Sequence, residues 1–348
     1  MQAVVYRGPG LLSLEEKPQP SLEKPTDAVV KILKTTICGT DLHIKKGDVP
    51  TVDIGRTLGH EGIGEITEIG TAVSLFKVGD KVLISCITSC GRCPFCKKEI
   101  YSHCEEGGWL LGNRIDGTQA EYVRIPFADT SLHPLPLNKD LEPFVMLSDI
   151  LPTGYEVGVL KGSIALGSCV AIIGAGPIGL ATLLTAQFYN PSQLIVIDID
   201  DNRLAVAKKL GATSTINPQK ENVLEKIHSL TGGKNVDVSI EAVGMPAAFD
   251  ICQACVTPGG HLANIGVHGQ PVTLHLENLW HTNITITTAL VDTYTIPILL
   301  KMVEEGKLKP ESLITHHFPL KEAMRAYEVF GNAFQEKALK IIFEVNGN

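Results

Sequence analysis

The sequence predicts an α/β fold in which a β-rich amino-terminal part precedes a doubly wound parallel sheet. From residue 1 to about 149, short β-branched runs are broken by Gly, Pro and Asp, a pattern typical of strands joined by long loops. From 150 to about 289, continuously apolar strands alternate with segments of helical period, which indicates a parallel sheet covered by helices on both faces. Residues 290–348 return to a mixed pattern, so we expect boundaries near 149 and 289.

The individual elements follow the same patterns in chain order. In the first part, strands are expected at residues 3–6, 27–34, 61–70, 81–86 and 120–125. In the second part, strands are expected at 170–176, 194–200, 236–244 and 261–267, with helices at 177–189 and 202–212. The last part adds helices at 296–307 and 320–330 and a strand at 337–345.

Length and charge exclude several classes of protein. The 348 residues suffice for two cores of ~150 residues each. A net charge of −8 repels phosphate backbones, so no nucleic-acid partner is expected. The longest apolar run, residues 169–186, contains three glycines and a proline, so it predicts a strand, a turn and a helix rather than a membrane span. Without an apolar stretch of signal-peptide length at the amino terminus, we expect a cytoplasmic protein with no membrane partner.

A glycine-rich loop predicts a dinucleotide site. Gly174, Gly176 and Gly179 match G-x-G-x-x-G between a predicted strand and a helix that begins near Pro177. Asp198 ends the next strand 24 residues after the first glycine, near the ~20 expected for the acid that binds the adenosine ribose. Such a carboxylate repels a 2′-phosphate, so NAD is expected rather than NADP. The alternative is a glycine-rich turn with no ligand.

Four of the nine cysteines lie within fifteen residues and predict a metal site: Cys90, Cys93, Cys96 and Cys104. Four thiolates can close a tetrahedral shell around one zinc, and a closed shell is typical of a structural site. Such a zinc would stabilise a lobe, at about residues 86–108, that has little apolar material of its own. Two local disulfides and an iron–sulfur cluster are the alternatives.

Three further motifs, taken in order with the others, resemble a known family over essentially the whole chain. They are CGTDLH at 38–43, GHEG at 59–62 and SDILPTG at 148–154. Together with the four-cysteine lobe and the glycine-rich loop, they resemble the zinc-dependent medium-chain alcohol dehydrogenases. The resemblance implies a GroES-like catalytic domain over 1–149, a Rossmann domain over 150–289, and a return to the catalytic domain over 290–348. It also implies a homo-oligomer, either a dimer or a tetramer.

The resemblance implies a second, catalytic zinc bound by Cys38, His60 and Asp149, with Glu61 behind it or as a transient ligand. Many members have Cys at the third position. Some tetrameric bacterial secondary-alcohol members have Asp there, and GGW at 107–109 is similar to them as well. Those members tend to use NADP and to lack the structural cysteines, so this chain combines features of two groups.

Other residues take their expected roles from the same resemblance. Thr40 and His43 correspond to a relay that carries the alcohol proton outward, joined in the family through the cofactor ribose. Asp41 corresponds to the carboxylate that fixes the tautomer of His60. The remaining matches are Thr153, Ile178 and Val267 around the nicotinamide, Arg203 and Lys340 as cationic contacts to ribose and pyrophosphate, and Cys86 and Trp109 in the substrate pocket.

The sequence therefore predicts an oxidoreductase that exchanges a hydride between NAD and small primary or secondary alcohols, giving aldehydes or ketones, with two zinc ions per chain. A polyol or amino-alcohol dehydrogenase of the same superfamily is the alternative enzyme. The remaining alternatives are a catalytically silent dinucleotide-binding sensor and a zinc-free quinone reductase. The relay residues and the zinc ligands argue against both, because neither kind of protein needs them.

Overall fold

The computed structural model describes residues 1–136 and 139–345, which form two compact units. Unit 1 comprises Met1–Asp149 and Asp292–Asn348, and unit 2 comprises Ile150–Val291. The first boundary coincides with the predicted one, and the second lies two residues later than predicted. The carboxyl-terminal segment thus completes the first unit.

The strands within the described residues are β1 (Gln2–Gly8), β2 (Leu11–Glu16), β3 (Ala28–Thr36), β4 (Gly62–Ile69), β5 (Lys81–Ile84), β6 (Tyr122–Ile125), β7 (Leu132–Pro134), β8 (Cys169–Ile173), β9 (Gln193–Ile197), β10 (Ser214–Ile216), β11 (Val236–Glu241), β12 (Val256–Asn264), β13 (Thr285–Thr288), β14 (Ile314–Pro319) and β15 (Lys340–Glu344).

The α-helices in the same residues are α1 (Gly39–Lys46), α2 (Ala128–Ser131), α3 (Ile150–Thr153), α4 (Pro177–Ala186), α5 (Asp201–Lys209), α6 (Val223–Leu230), α7 (Pro246–Cys255), α8 (Leu276–Leu279), α9 (Ile296–Glu304), α10 (Ala323–Gly331) and α11 (Ala333–Glu336). Short 3₁₀ helices include Cys96–Lys98, Tyr101–His103 and Glu142–Leu147, and a π-helix spans Gly154–Leu160.

Unit 1 is built on a mixed sheet with strand order β14-β15-β3-β4-β5-β7, and β6 also pairs with β3. All of its pairings are antiparallel except that of β14 with β15. One core packs Ile37, Leu58 and Tyr327 against β15, and another lies under β3, β4 and β5. The carboxyl-terminal strands therefore share a sheet with the amino-terminal ones, as the return of the chain to unit 1 requires.

Unit 2 contains a parallel sheet with strand order β10-β9-β8-β11-β12-β13. Numbered within the unit, this is the order 3-2-1-4-5-6 of the doubly wound dinucleotide-binding fold. The continuously apolar strands β8 and β9 are buried because helices cover both faces of such a sheet. The predicted fold class is confirmed.

Several elements escaped prediction because their sequences carry little apolar periodicity. The polar helix α1 buries only Asp41 and Ile44, and β13 is mostly exposed. The helix predicted to end at 189 instead ends at Ala186 and continues as a short 3₁₀ helix. In the described part of the chain, every helix is too short or too polar to cross a membrane.

Candidate active site

Helix α1 positions the motif at residues 38–43, whose first residue, Cys38, belongs to a buried cluster of possible metal ligands. Cys38 is its N-cap residue, and the backbone N–H of Cys38 donates to Oδ2 of Asp41 at 2.9 Å. Asp41 lies in the first turn, where a carboxylate is stabilised by the positive end of the helix dipole. This capping interaction fixes Cys38 and Thr40 at the same helix end.

The other three residues of the cluster come from two segments that are hydrogen-bonded to each other. His60 and Glu61 directly precede β4, and Asp149 follows the 3₁₀ helix Glu142–Leu147. The hydroxyl of Ser148 accepts a hydrogen bond from the Gly62 N–H at 3.0 Å, so the segment before Asp149 is tied to the start of β4.

The ligand atoms of Cys38, His60, Glu61 and Asp149 all lie within 4.8 Å of one another. Nε2 of His60 is 3.2 Å from Oδ2 of Asp149, and Sγ of Cys38 is 3.8 Å from the same oxygen. Ligands at zinc-bond lengths of 2.0–2.3 Å in a tetrahedron are about 3.3–3.8 Å apart. The sulfur, nitrogen and oxygen donors therefore fit zinc, in both chemistry and spacing.

The charge of this cluster is partly balanced by a buried lysine. Glu61 accepts hydrogen bonds from the hydroxyl of Thr36 and from the ammonium of Lys340, which also donates to the carbonyl of Ile37 at 3.1 Å. Burial raises the pKa of Glu61, although the charge of Lys340 opposes this effect. Burial acts to lower the pKa of Lys340, but the charges of Glu61 and Cys38 outweigh it and raise that pKa.

The expected role of Lys340 as a cationic contact to the cofactor stays a prediction. Its side chain is completely buried, and its ammonium donates hydrogen bonds to Glu61 and to the carbonyl of Ile37. The ammonium is therefore bound to the acid beside the metal ligands. Sequence alone could not reveal this pair, because its members are separated by 279 residues.

Asp41 is held by hydrogen bonds that were not predicted. Its Oδ2 accepts from the N–H of Cys38 and from Nε2 of the buried Gln119, whose Oε1 accepts from the hydroxyl of Tyr327. Oδ1 of Asp41 and Nδ1 of His60 are both buried, with no hydrogen-bond partner among the described residues. A hydrogen bond from Nδ1 of His60 to Asp41 is not formed among the described residues, and the expected role of Asp41 stays a prediction.

Asp41 influences His60 through its charge instead. Burial acts to lower the pKa of His60, but its contacts with Asp149 and Cys38 and the charge of Asp41 raise that pKa well above its ordinary value. The contacts of Asp41 with Gln119, and of Gln119 with Tyr327, were not predicted. No short-range motif marks them, because they join distant parts of unit 1.

The expected relay residues lie on the exposed side of α1. Oγ1 of Thr40 is 3.8 Å from Sγ of Cys38, and Thr40 is partly exposed. His43 lies almost one turn later, and its Nδ1 is 3.1 Å from Oδ2 of Asp48, an exposed residue that sequence reasoning missed. With Nδ1 engaged by Asp48, Nε2 of His43 is the nitrogen able to accept a proton.

The two residues expected in the substrate pocket, Cys86 and Trp109, both lie near the metal ligands. The ring of Trp109 meets that of His60 edge-on, with centroids 6.2 Å apart. Cys86 is buried, and its N–H donates to the carbonyl of Ser148, the residue before Asp149. Trp109 therefore packs against a ligand residue itself, whereas Cys86 hydrogen-bonds to the residue before one.

The four-cysteine lobe forms a second cluster with its ligand atoms within 4.8 Å of one another. Its small core consists of Cys93, Cys96 and Cys104, with Cys90 and Tyr101 packed against them. The N–H of Cys90 donates to Sγ of Cys104 at 3.2 Å, and Sγ of Cys90 and Cys96 are 4.0 Å apart. All four cysteines are free thiols, so the local disulfides considered above are not formed.

The thiols of this lobe have unequal proton affinities. A hydrogen bond from the N–H of Cys96 lowers the pKa of Cys93 to about 6, whereas burial raises the pKa of Cys96 to about 12. Several thiolates held this close repel one another unless a cation neutralises them. Sulfur atoms of a Zn–S₄ tetrahedron are about 3.8 Å apart, so the spacing fits a structural zinc.

Unit 2 holds a cleft of about 540 Å³ beyond the carboxyl ends of its strands. Gly174, Gly176, Asp198 and Arg203 line it. Gly174 has a φ of +109°, and a Cβ on Gly179 would lie 1.9 Å from the carbonyl oxygen of Gly174, so both glycines are required by the tight strand-to-helix turn. The turn leaves the amino terminus of α4 at the cleft, where backbone N–H groups can bind phosphate.

Asp198 is held in place by the same loop. Its Oδ2 accepts from the N–H of Ala175 at 2.6 Å, and its Oδ1 accepts from the N–H of Asp200 at 2.8 Å. Ile199, Val243 and Met245 also line the cleft, and sequence reasoning missed them although they follow β9 and β11.

The other expected cofactor residues lie elsewhere in unit 2. Pro177 and Ile178 begin α4, and Thr153 ends α3. Val267 follows β12 and is exposed. Each of these positions is compatible with its expected role, which stays a prediction.

The zinc-fitting donor sets of unit 1 and the dinucleotide-binding fold of unit 2 define a metal-dependent oxidoreductase, and comparison with known proteins agrees. A model of the alcohol dehydrogenase GroES-like domain matches residues 24–137, and one of a zinc-binding dehydrogenase matches residues 177–305.

Among solved structures, the apo form of zinc-dependent alcohol dehydrogenase 2 from Streptococcus pneumonia is 54% identical, with a TM-score of 0.95 over 100% of this chain and 99% of that one. Alcohol dehydrogenase TADH from Thermus sp. ATN1 is 35% identical, with a TM-score of 0.92 over 99% and 100% of the two chains. An alcohol dehydrogenase of Cupriavidus necator is 34% identical over 98% of each chain. The chain belongs to the zinc-dependent medium-chain alcohol dehydrogenase family.

Proposed function

We propose that the chain oxidises small primary or secondary alcohols to aldehydes or ketones with NAD, using one catalytic and one structural zinc. The main support is the buried Cys38, His60 and Asp149 cluster, whose donor atoms are spaced for a metal, with the hydroxyl of Thr40 3.8 Å from the Cys38 sulfur. A sensor or a zinc-free reductase would need neither feature.

The chemistry divides between proton removal and hydride removal. Cys38, His60 and Asp149 would hold the zinc, which would supply the Lewis acidity that lowers the pKa of an alcohol hydroxyl. Oγ1 of Thr40 would accept the alcohol proton while its own hydroxyl proton is passed on toward Nε2 of His43. His43 would then release a proton to solvent while Asp48 holds the ring. NAD, when bound, would supply the hydride acceptor.

The preference for NAD follows from Asp198. Its carboxylate lines the cleft, is fixed by two backbone N–H groups, and can accept hydrogen bonds from ribose hydroxyls. The same negative charge repels a 2′-phosphate, although Arg203 in the same cleft would attract one.

Replacing Asp198 with glycine tests this preference. We expect the ratio of kcat/KM for NAD to kcat/KM for NADP to fall by roughly 10–100-fold, because the variant loses ribose hydrogen bonds and the repulsion of the phosphate. Initial rates with both cofactors measure the ratio. An original enzyme that already uses NADP more efficiently would contradict the proposal.

The substrate class is tested by initial rates with NAD on ethanol, 2-propanol, benzyl alcohol and sorbitol, together with zinc content per chain. We expect two zincs and the highest kcat/KM with a monohydric alcohol, because the ring of Trp109 beside His60 favours apolar substrates. A strong preference for sorbitol would instead establish the polyol alternative.

We also propose that the enzyme is a homo-oligomer, a dimer or a tetramer. The terminal strand β13 of the unit 2 sheet is mostly exposed, and an exposed edge strand is a surface on which a second copy can pair. Native mass spectrometry gives the subunit count, and a monomer at micromolar concentration would rule the assembly out.

A further inference from the structure

His268 joins the ends of two neighbouring strands of the unit 2 sheet. It lies in the loop that follows β12, and its Nε2 is 2.8 Å from Oδ1 of Asn264, the last residue of β12. The same nitrogen is 3.3 Å from Oε2 of Glu241, the last residue of β11. Phe249 meets the imidazole edge-on, with ring centroids 6.0 Å apart.

Glu241 is completely buried and organises the loop that follows its own strand. Its Oε1 accepts hydrogen bonds from the N–H groups of Val243 and Gly244, at 3.0 and 2.8 Å. Oε2 has no hydrogen-bond partner among the described residues, so the imidazole of His268 is the polar group that faces it. A buried carboxylate oxygen in this position is costly without such a neighbour.

The two loops also meet through their backbones. A Cβ added to Gly244, which has a φ of +81°, would lie 2.2 Å from the carbonyl oxygen of Val267. The loops nevertheless present apolar side chains to solvent, because Val243, Met245 and Val267 are 48%, 50% and 67% exposed. Apolar residues left uncovered beyond the carboxyl ends of a parallel sheet are suited to contact a bound ligand.

The strand order indicates which half of a dinucleotide these loops would face. The order reverses between β8 and β11, and a dinucleotide lies across that point. Asp198 follows β9 on one side and can bind the adenosine ribose. Val243 and Met245, after β11, line the same cleft as Asp198, and the loop after β12 lies further to the other side, where the second nucleotide is expected.

We propose that His268 is a positioning residue for the nicotinamide half of the cofactor. This inference rests on the proposed function. The imidazole tethers residues 265–268 to Glu241 and Asn264, and thereby holds both loops in the arrangement that receives the nicotinamide. Asp198, which can bind the adenosine ribose, is instead held by the N–H groups of Ala175 and Asp200.

The experiment compares NADH with ADP-ribose, which lacks the nicotinamide, on the purified enzyme by isothermal titration. We expect His268→Leu to weaken NADH binding about tenfold while ADP-ribose affinity changes by less than about twofold. His268→Gln, which can keep a donor near Glu241 and Asn264, is expected to recover most of the NADH affinity. His275→Leu is the matched control, because His275 also faces two carboxylates, of Asp250 and Glu277, but is exposed; it should leave both affinities unchanged.

An equal loss for both ligands in His268→Leu would indicate general disruption of unit 2 and would overturn the proposal. Unchanged NADH affinity would overturn it as well. Failure of the proposed function is distinct, since in that case the unsubstituted enzyme itself would bind neither ligand. If the enzyme binds both ligands but oxidises no alcohol, the effect of His268→Leu on the two affinities still decides the proposal.

Discussion

Replacing Thr40 with alanine should lower kcat by about 10²–10³-fold while both zinc ions remain bound. Proton transfer by a positioned group contributes about that much, and the Thr40 hydroxyl lies beside the Cys38 sulfur without belonging to the ligand cluster. The variant retains the backbone that caps α1, because the capping carboxylate comes from Asp41. Steady-state rates and metal analysis of the same preparation measure the two quantities together.

Two companion variants sharpen this prediction. Thr40→Ser keeps a hydroxyl and should retain most of the turnover. His43→Gln should have a smaller effect, largest at low pH, where solvent base is scarce, and relieved by concentrated buffer that can accept the proton directly. Native-like kcat for Thr40→Ala across pH would exclude Thr40 from proton transfer.

The sequence predicted those parts of the site that are formed entirely by residues close together in the chain. The four cysteines of the lobe need fixed separations along the chain, because one loop supplies all of the ligand atoms. The glycines around Gly174 need fixed separations because a single turn forms the whole phosphate-binding site. The structure brings both groups together as expected. Cys38, His60 and Asp149 are dispersed, and only their order, through a family resemblance, predicted that they would meet.

The parts that sequence reasoning missed are long-range polar contacts. Gln119 hydrogen-bonds to Asp41 and Tyr327 across separations of 78 and 208 residues, and Lys340 reaches Glu61 across 279. A Lys in a β-branched strand is most often solvent-exposed, so nothing in the sequence near Lys340 indicates complete burial. Such pairs become visible only when the carboxyl-terminal strand β15 joins the sheet beside β3.

The buried pairing of Lys340 with Glu61 bears on which residues bind the catalytic metal. Lys340 offsets the charge of Glu61, so Cys38 and Asp149 are the two groups left to supply negative charge to a divalent cation beside His60. Two anionic ligands and one neutral imidazole match a divalent cation. This charge balance favours Asp149 over Glu61 as the third ligand.

Asp149→Ala should therefore remove the catalytic zinc, leave about one zinc per chain, and abolish alcohol oxidation while dinucleotide binding persists. Loss even of groups that only support a metal ligand weakens zinc binding by about 10–100-fold, so loss of a ligand should exceed that range. Asp149→Cys, with the ligand that many relatives use, should restore the second zinc. Asp53→Ala is the control, because that carboxylate is exposed and belongs to no ligand cluster in the described residues.

A chelator should reproduce the Asp149→Ala state in the unsubstituted enzyme by extracting one zinc before the other. The site of Cys38, His60 and Asp149 must keep a position open for substrate, whereas four thiolates in the lobe close the shell around their metal. Adding zinc or cobalt should then restore turnover, which time-resolved metal release and activity measure in parallel. If Asp149→Ala instead keeps two zincs and normal rates, the third ligand is Glu61, and Glu61→Gln in the Asp149→Ala background should release the metal.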